Sequence, residues 1–245
     1  MMNCFRSARQ LCIIQLVWLA FLIPLTAIEA RAAESNGSTV QDPTLRILDR
    51  ASAFFNSGKG DSAMVYYNRA AKLSERQKDT RAKQLEVKAL LGKWSVYFFY
   101  FFDYSKAFEA LAQARLISEQ QAFSTAPVDF REGLLYHALS DQCNDEAAAR
   151  LALNNYQRAF AESGSDTEPQ TLNNMMVNYI LIAHKLGRLS SVRKMWGKYE
   201  KLLGKEKTAN YEFSKLLLEG LTAQTRGQYR KALQSYRCIF DVLPF

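Results

Sequence analysis

The last twenty residues, "RGQYRKALQSYRCIFDVLPF" (Arg226 to Phe245), contain the pattern that predicts the fold. After Gly227, the residues Tyr229, Ala232 and Tyr236 follow at spacings of three and four, which places them on one face of a helix. A small alanine lets a second helix approach closely, and an aromatic side chain four residues later fills the space beside it. The segment is therefore predicted to be one helix of a packed pair.

The same pattern occurs four more times upstream. The small position falls at Ala63, Ala107, Ala152, Val192 and Ala232, at intervals of 44, 45, 40 and 40 residues. A helix pair cannot bury both of its faces alone, so repeated pairs stack on one another. Since alternating strand patterns are absent between these positions, the sequence predicts an all-α fold.

This arrangement, with Ile239 and Pro244 completing the last copy, resembles the tetratricopeptide repeat, whose unit is about 34 residues long. The resemblance covers roughly residues 44–245. It implies a right-handed α-solenoid of about five helix-turn-helix hairpins, and the expanded period of 40–45 residues implies longer helices or longer loops. The expected repeats are about 44–76, 78–122, 127–163, 167–203 and 206–245.

In that family, the first helix of each hairpin lines a groove that binds a peptide or a partner protein. Carrying the family's groove positions onto this sequence predicts as ligand-binding residues Val96, Phe99, His137, Asp141, Asn144, Asn174, Val177, His184, Leu221 and Gln224. Asn and Gln can donate and accept hydrogen bonds together, which suits the backbone of an extended peptide. The alternative is that these polar groups face only solvent. The basic residues of this region are interpreted as solvated surface unless they cluster in space: Lys93, Lys185, Arg188 and Lys198.

Residues 1–32 have the order of a secretory signal peptide, with Arg6 and Arg9, an apolar run over 11–28, and small residues at Ala30 and Ala32. A polar linker over 33–43 follows. The expected location is periplasmic or otherwise exported, and the alternative is an uncleaved membrane anchor at 11–28. The net charge of +8 is then not read as a sign of nucleic-acid binding, because an exported protein meets little nucleic acid.

No arrangement of residues predicts catalysis. The chain has only two histidines, and neither lies in an H-E-x-x-H metalloprotease motif. The sequence also contains no G-x-S-x-G nucleophile elbow and no phosphate-binding loop. We therefore expect no enzymatic activity, no cofactor and no metal. Beyond the signal segment, Cys143 and Cys238 are expected to be small buried side chains, with a disulfide as the alternative.

The segment "WSVYFFYFFDY", Trp94 to Tyr104, consists largely of aromatic residues. One interpretation is a central helix covered on all sides. The other is an exposed apolar surface, on which Trp94, Tyr97 and Tyr100 would stack against an envelope glycan or another small ligand.

The leading functional hypothesis is an exported scaffold for protein–protein interactions. The combination of signal peptide and long-period repeats is similar to the periplasmic sensor region of envelope-spanning bacterial regulators. This chain would then be a truncated copy, a fragment or a stand-alone relative of such a signal-transduction protein. The final helix is expected to leave an apolar patch uncovered, formed by some of Tyr229, Tyr236, Phe240 and Phe245, and self-association through this end is one expected consequence.

Overall fold

A computed structural model describes residues 42–204 and 208–242. Within these residues it contains ten α-helices, one π-helical turn at Tyr97–Phe101 and no strand, so the predicted all-α class is confirmed for them. The helices are α1 (Pro43–Asn56), α2 (Gly60–Glu75), α3 (Thr80–Val96), α4 (Tyr104–Gln120), α5 (Ala126–Cys143), α6 (Glu146–Glu162), α7 (Pro169–Lys185), α8 (Leu189–Leu203), α9 (Ala209–Thr225) and α10 (Tyr229–Val242). The predicted signal peptide at 1–32 lies outside the described residues, as do Pro244, Phe245 and most of the linker.

Aspartate side chains begin several of the helices. The carboxylate of Asp42 accepts a hydrogen bond from the backbone N–H of Thr44 at 2.8 Å, and that of Asp145 accepts from Ala147 at 2.8 Å. Each satisfies an N–H group that has no partner within its helix, an effect of about 1 kcal/mol. These caps define where α1 and α6 start.

The described chain divides into two compact units, with the boundary inside α3 between Gly92 and Lys93. In the first unit, α1 and α2 form a hairpin across a short loop. Its centre contains Ala63 and Tyr67, and the Tyr67 hydroxyl lies 3.2 Å from the Ser52 hydroxyl on α1. Tyr67 also lies against Gly92, which brings the second half of α3 onto α2.

In the second unit, helices contact their sequence neighbours and also the second helix along. The tightest pairs are α5 with α6 and α9 with α10. In addition, α5 contacts α7, α7 contacts α9, and α6 contacts α8. The first helices of successive hairpins, α5, α7 and α9, therefore adjoin one another, and so do the second helices α6 and α8, as in hairpins that are stacked in sequence.

Glycines permit the close approach within these pairs. A Cβ atom built on Gly133 of α5 would lie 2.5 Å from the Tyr156 ring of α6, and one on Gly220 of α9 would lie 2.4 Å from the Tyr236 ring of α10. Any larger residue would push the tyrosine ring away. The five repeated small positions Ala63, Ala107, Ala152, Val192 and Ala232 are all buried.

An equivalent hydrogen-bonding contact occurs within the α5–α6 hairpin and within the α9–α10 hairpin. The Tyr156 hydroxyl lies 3.2 Å from Nδ1 of His137, four residues after Gly133, and the Tyr236 hydroxyl donates to Gln224 at 2.8 Å, four residues after Gly220. His137 and Gln224 are thus structurally equivalent. Both were predicted to line the groove, yet His137 is buried and Gln224 is exposed.

The length of the helices explains this difference. Gly133 lies ten residues before the end of α5, whereas Gly220 lies five before the end of α9. Likewise, Tyr156 lies ten residues after the start of α6, and Tyr236 seven after the start of α10. The α5–α6 hairpin therefore extends further beyond the shared contact, and His137 lies six residues before the end of α5 whereas Gln224 lies one residue before the end of α9.

Candidate interaction surfaces

The ten predicted groove residues do not form a single exposed row. Phe99, Asp141 and His184 are half-buried, and Asn144 and Gln224 are exposed. The side chains of the other five are buried and offer no surface to a ligand in this structure: Val96, His137, Asn174, Val177 and Leu221. Asn174 and Val177 on α7 are buried because this helix packs against four others, α5, α6, α8 and α9.

The structure brings two of the predicted residues, His137 and Asp141, into one polar cluster between α5, α6 and α7. Nε2 of His137 lies 3.8 Å from the Asp141 carboxylate, which accepts a hydrogen bond from the Lys185 ammonium at 2.7 Å. Lys185 also donates to the backbone carbonyl of Ser140 at 2.7 Å. Lys185 is exposed, as interpreted from the sequence, and its ammonium also connects α7 to the end of α5.

Burial determines the protonation state of this histidine. It lowers the pKa of His137 to about 4; the Asp141 carboxylate opposes the change and the Lys185 ammonium adds to it. The imidazole is consequently neutral near pH 7 and lies beside the Tyr156 hydroxyl in the core. With 4 % of its surface exposed, His137 stabilises a hairpin and does not face a ligand.

A second polar group lies along α7 and reaches α9. Gln170 donates to the Asn174 side chain at 3.2 Å, Asn178 donates to the Asn174 carbonyl at 2.8 Å, and Asn210 of α9 donates to Gln170. We call these four residues the amide ridge. Gln170, Asn178 and Asn210 are half-buried and so present part of their amides at the surface. Sequence reasoning identified only Asn174, although three amides at intervals of four were a visible signal.

The aromatic segment is mostly covered. Trp94 is 2 % exposed and stacks on Phe98 with ring centroids 5.0 Å apart, while the Arg131 guanidinium lies 5.5 Å above its ring. Tyr97 and Tyr100 are half-buried. At the end of the π turn, Phe102 adopts a left-handed backbone with φ of 52° and its side chain is largely exposed. Trp94 thus presents no face on which a sugar could stack.

A buried carboxylate organises the contact between α4, α5 and α6. Asp129, 1 % exposed, accepts from Arg115 of α4 at 2.8 Å and from Arg158 of α6 at 3.0 Å. Glu132 lies 3.0 Å from the same Arg115. This network was not predicted, because its members are 14 and 29 residues apart and no local pattern relates them.

The outer face of α10 is apolar and exposed, as expected for Tyr229 and Phe240, whose side chains are 72 % and 64 % exposed. Leu233, which was not predicted, is 52 % exposed on the same face. Tyr236 is half-buried, because its ring lies on Gly220. Together Tyr229, Leu233, Tyr236 and Phe240 form what we call the α10 stripe.

The described residues include neither a candidate metal site nor a helix that could span a membrane. They contain no group of three or more His, Cys, Asp or Glu residues that could hold a metal ion. None of their helices is long and apolar enough to cross a membrane, and the apolar run at 11–28 lies outside them. Cys143 and Cys238 are free thiols; Cys143 is exposed, so its expected burial is wrong.

Comparison with known proteins adds no assignment, since no protein-family model matches the chain and no curated protein is significantly similar to it.

Proposed function

We propose that this protein is an exported scaffold for protein–protein interactions, built as a right-handed α-solenoid of about five TPR-like hairpins. It binds an extended segment of a partner protein along the first helices of the hairpins and performs no chemistry of its own, with no cofactor and no metal. In this proposal it acts in the periplasm as the sensor part of a signal-transduction regulator.

The observation that carries the proposal is the amide ridge at the junction of α7 and α9. Gln170 and Asn178 are separated by eight residues, or about 12 Å along the helix, which is the length of roughly four residues of extended chain. Primary amides offer both donors and acceptors, as the backbone of such a segment requires. The contacts of α7 with both α5 and α9 support a continuous surface of first helices.

Two features of the hairpins support the TPR-like part of the proposal. Glycine–tyrosine contacts recur in α5–α6 and α9–α10 with the same hydrogen-bonding position four residues later. The repeated small positions are buried in every copy. The alternative, a glycan-binding protein that uses Trp94, has less support because that ring is covered.

Site-specific photo-crosslinking tests the proposed binding surface. A photoreactive residue replaces Asn178 on the amide ridge or, as a matched control, the exposed Asn154 on α6, in the full chain made in its own cells. We expect a discrete crosslinked partner at position 178 and at least a fivefold weaker product at position 154. Equal labelling at the two positions, or none at 178, would show that the ridge is not a binding surface.

A further inference from the structure

The spacing within the α10 stripe distinguishes it from isolated exposed apolar residues. Tyr229, Leu233, Tyr236 and Phe240 follow one another at intervals of four, three and four, which is the alternation of the apolar seam in a coiled coil. Other exposed apolar side chains such as Val65 and Leu116 are not members of such a row. Ala232 and Ser235 pack onto α9, as does one face of the half-buried Tyr236 ring, so Tyr236 is the stripe residue that adjoins the packed side of α10.

Positive charge borders the α10 stripe. Arg230 and Arg237 each directly follow a stripe residue and are seven residues apart, so they lie together on the outer side of the seam. Both are exposed, and neither forms an ion pair with another described residue, although Asp241 is only four residues after Arg237. In coiled coils, charges at these flanking positions pair with opposite charges on the partner helix and select it.

We propose that α10 docks an amphipathic helix of a partner protein, whose apolar seam is bordered by Asp or Glu residues facing Arg230 and Arg237. The contact covers about three turns, or roughly 16 Å of α10. This inference goes beyond the scaffold function proposed above, because it concerns another surface and a helical ligand, and it does not depend on the amide ridge.

The narrow width of the α10 stripe and the arginines beside it favour an acidic partner helix over a membrane surface and over a second copy of α10. A helix that lies in a membrane interface buries a broad apolar face, whereas the α10 stripe has the narrow width of a helix–helix seam. A second copy of α10 packed antiparallel would bring Arg230 opposite Arg237 of the copy, and like charges at these positions destabilise pairing. An acidic helix satisfies both the seam and the arginines.

Binding of designed peptides tests the inference. The probe is a fluorescently labelled peptide of three heptads with Leu at the seam and Glu at the flanking positions, and its control has Lys in place of Glu. Fluorescence anisotropy with the full chain at low salt should show the Glu peptide binding about tenfold more tightly. The double variant Arg230→Glu, Arg237→Glu should reverse that preference, and Leu233→Ser with Phe240→Ser should abolish binding.

Control variants separate this site from the overall positive charge. Arg193→Glu with Lys194→Glu makes the same charge change on the exposed side of α8 and should leave the peptide preference unchanged. Circular dichroism checks that each variant keeps its helix content. If the double Glu variant loses helix content, Arg230→Gln with Arg237→Gln replaces it and should remove the preference for the Glu peptide.

Four results would overturn the inference. They are failure of the wild-type chain to bind the Glu peptide, binding that is insensitive to both arginine variants, capture by phosphatidylglycerol vesicles through Arg230 and Arg237 without peptide binding, and a dimer that Phe240→Ser dissociates while the peptide does not bind. The third identifies a membrane surface as the occupant, and the fourth identifies a second copy of the chain.

Discussion

At the residue scale, glycines inside helices set the distance between neighbouring helices. Glycine in a helix interior is ordinarily unfavourable by up to about 1 kcal/mol relative to alanine. At Gly133 and Gly220 it is required, because a tyrosine ring occupies the volume that a Cβ atom would take. At Gly197 of α8 nothing lies within 4 Å of a built Cβ, so no such requirement exists.

Alanine substitutions at these three glycines should therefore change the free energy of unfolding in different directions. Gly133→Ala should lower the free energy of unfolding by about 1–3 kcal/mol, because Tyr156 is fully buried and its ring cannot move aside. Gly220→Ala should lower it less, since Tyr236 is half-buried and can shift. Gly197→Ala should raise it by up to about 1 kcal/mol. Urea unfolding measures all three; a destabilised Gly197→Ala or a neutral Gly133→Ala would contradict this explanation.

His137 makes stability depend on pH. Its pKa is lowered from 6.5 to about 4, so between these values the unfolded state binds a proton that the folded state does not. Stability should fall as the pH decreases through this window, by up to about 3 kcal/mol in total. The charged groups that face the imidazole are Asp141 and Lys185.

The variant His137→Gln should remove this dependence. Glutamine already makes the equivalent hydrogen bond in the last hairpin, where Gln224 accepts from Tyr236, so little stability should be lost at pH 7.5. The pKa of His184 is also lowered by burial, but His184 is present in both proteins and cancels in their difference. Denaturant unfolding at pH 7.5 and 4.5 measures this pH dependence in the wild-type chain and in the variant. If both proteins lose the same free energy of unfolding at pH 4.5, His137 is not the source of the pH dependence.

At the element scale, α5 is held by polar groups at both ends. Near its start, Asp129 pairs with arginines of α4 and α6; near its end, Ser140 and Asp141 bind Lys185 of α7. Apolar burial along the middle brings the helices together without specifying their axial position. The directional contacts at the two ends specify it.

Removing the central carboxylate should be costly. Asp129→Ala removes the buried carboxylate that accepts from Arg115 and Arg158 and leaves Glu132 as their remaining partner, so it should destabilise the chain by about 1–2 kcal/mol. The matched control is Glu146→Ala, which breaks the exposed pair with Arg150 and should change stability by less than about 0.5 kcal/mol. Thermal unfolding compares them, and equal effects would show that Asp129 contributes only as an ordinary surface charge.

At the scale of the whole molecule, burial is unevenly distributed among the helices of the second unit. Ten residues of α7 are buried, whereas α10 has two, Ala232 and Ser235. In stacked hairpins each helix is stabilised mainly by its immediate neighbours, so α7 with four neighbours should open last.

Hydrogen exchange should reproduce this order. We expect backbone amides of α7 to exchange most slowly and those of α10 most rapidly among the hairpins from α5 to α10, as measured by mass spectrometry on the full chain. Addition of the Glu peptide described above should slow exchange in α10 and leave α7 unchanged. Equal protection of the two helices in the free protein would show that the unit opens as one body.

The sequence alone determined the helical class and the positions of the buried small residues. These features follow from local periodicity: apolar spacing of three and four residues requires a helix, and a small residue on the packed face permits close approach. The same reasoning did not anticipate that His137 is buried while the equivalent Gln224 is exposed, because the helices of the two hairpins extend to different lengths beyond their shared contact.

Only the tertiary structure decided which helices adjoin and which polar groups meet. Gln170 and Asn210 are forty residues apart, and Lys185 is forty-five from Ser140; no periodicity in the sequence relates such pairs. Their contact depends on the lengths of intervening helices and loops, which place one helix end beside another. The physical reason is that a helix forms through contacts four residues apart, whereas a surface forms through contacts between helices.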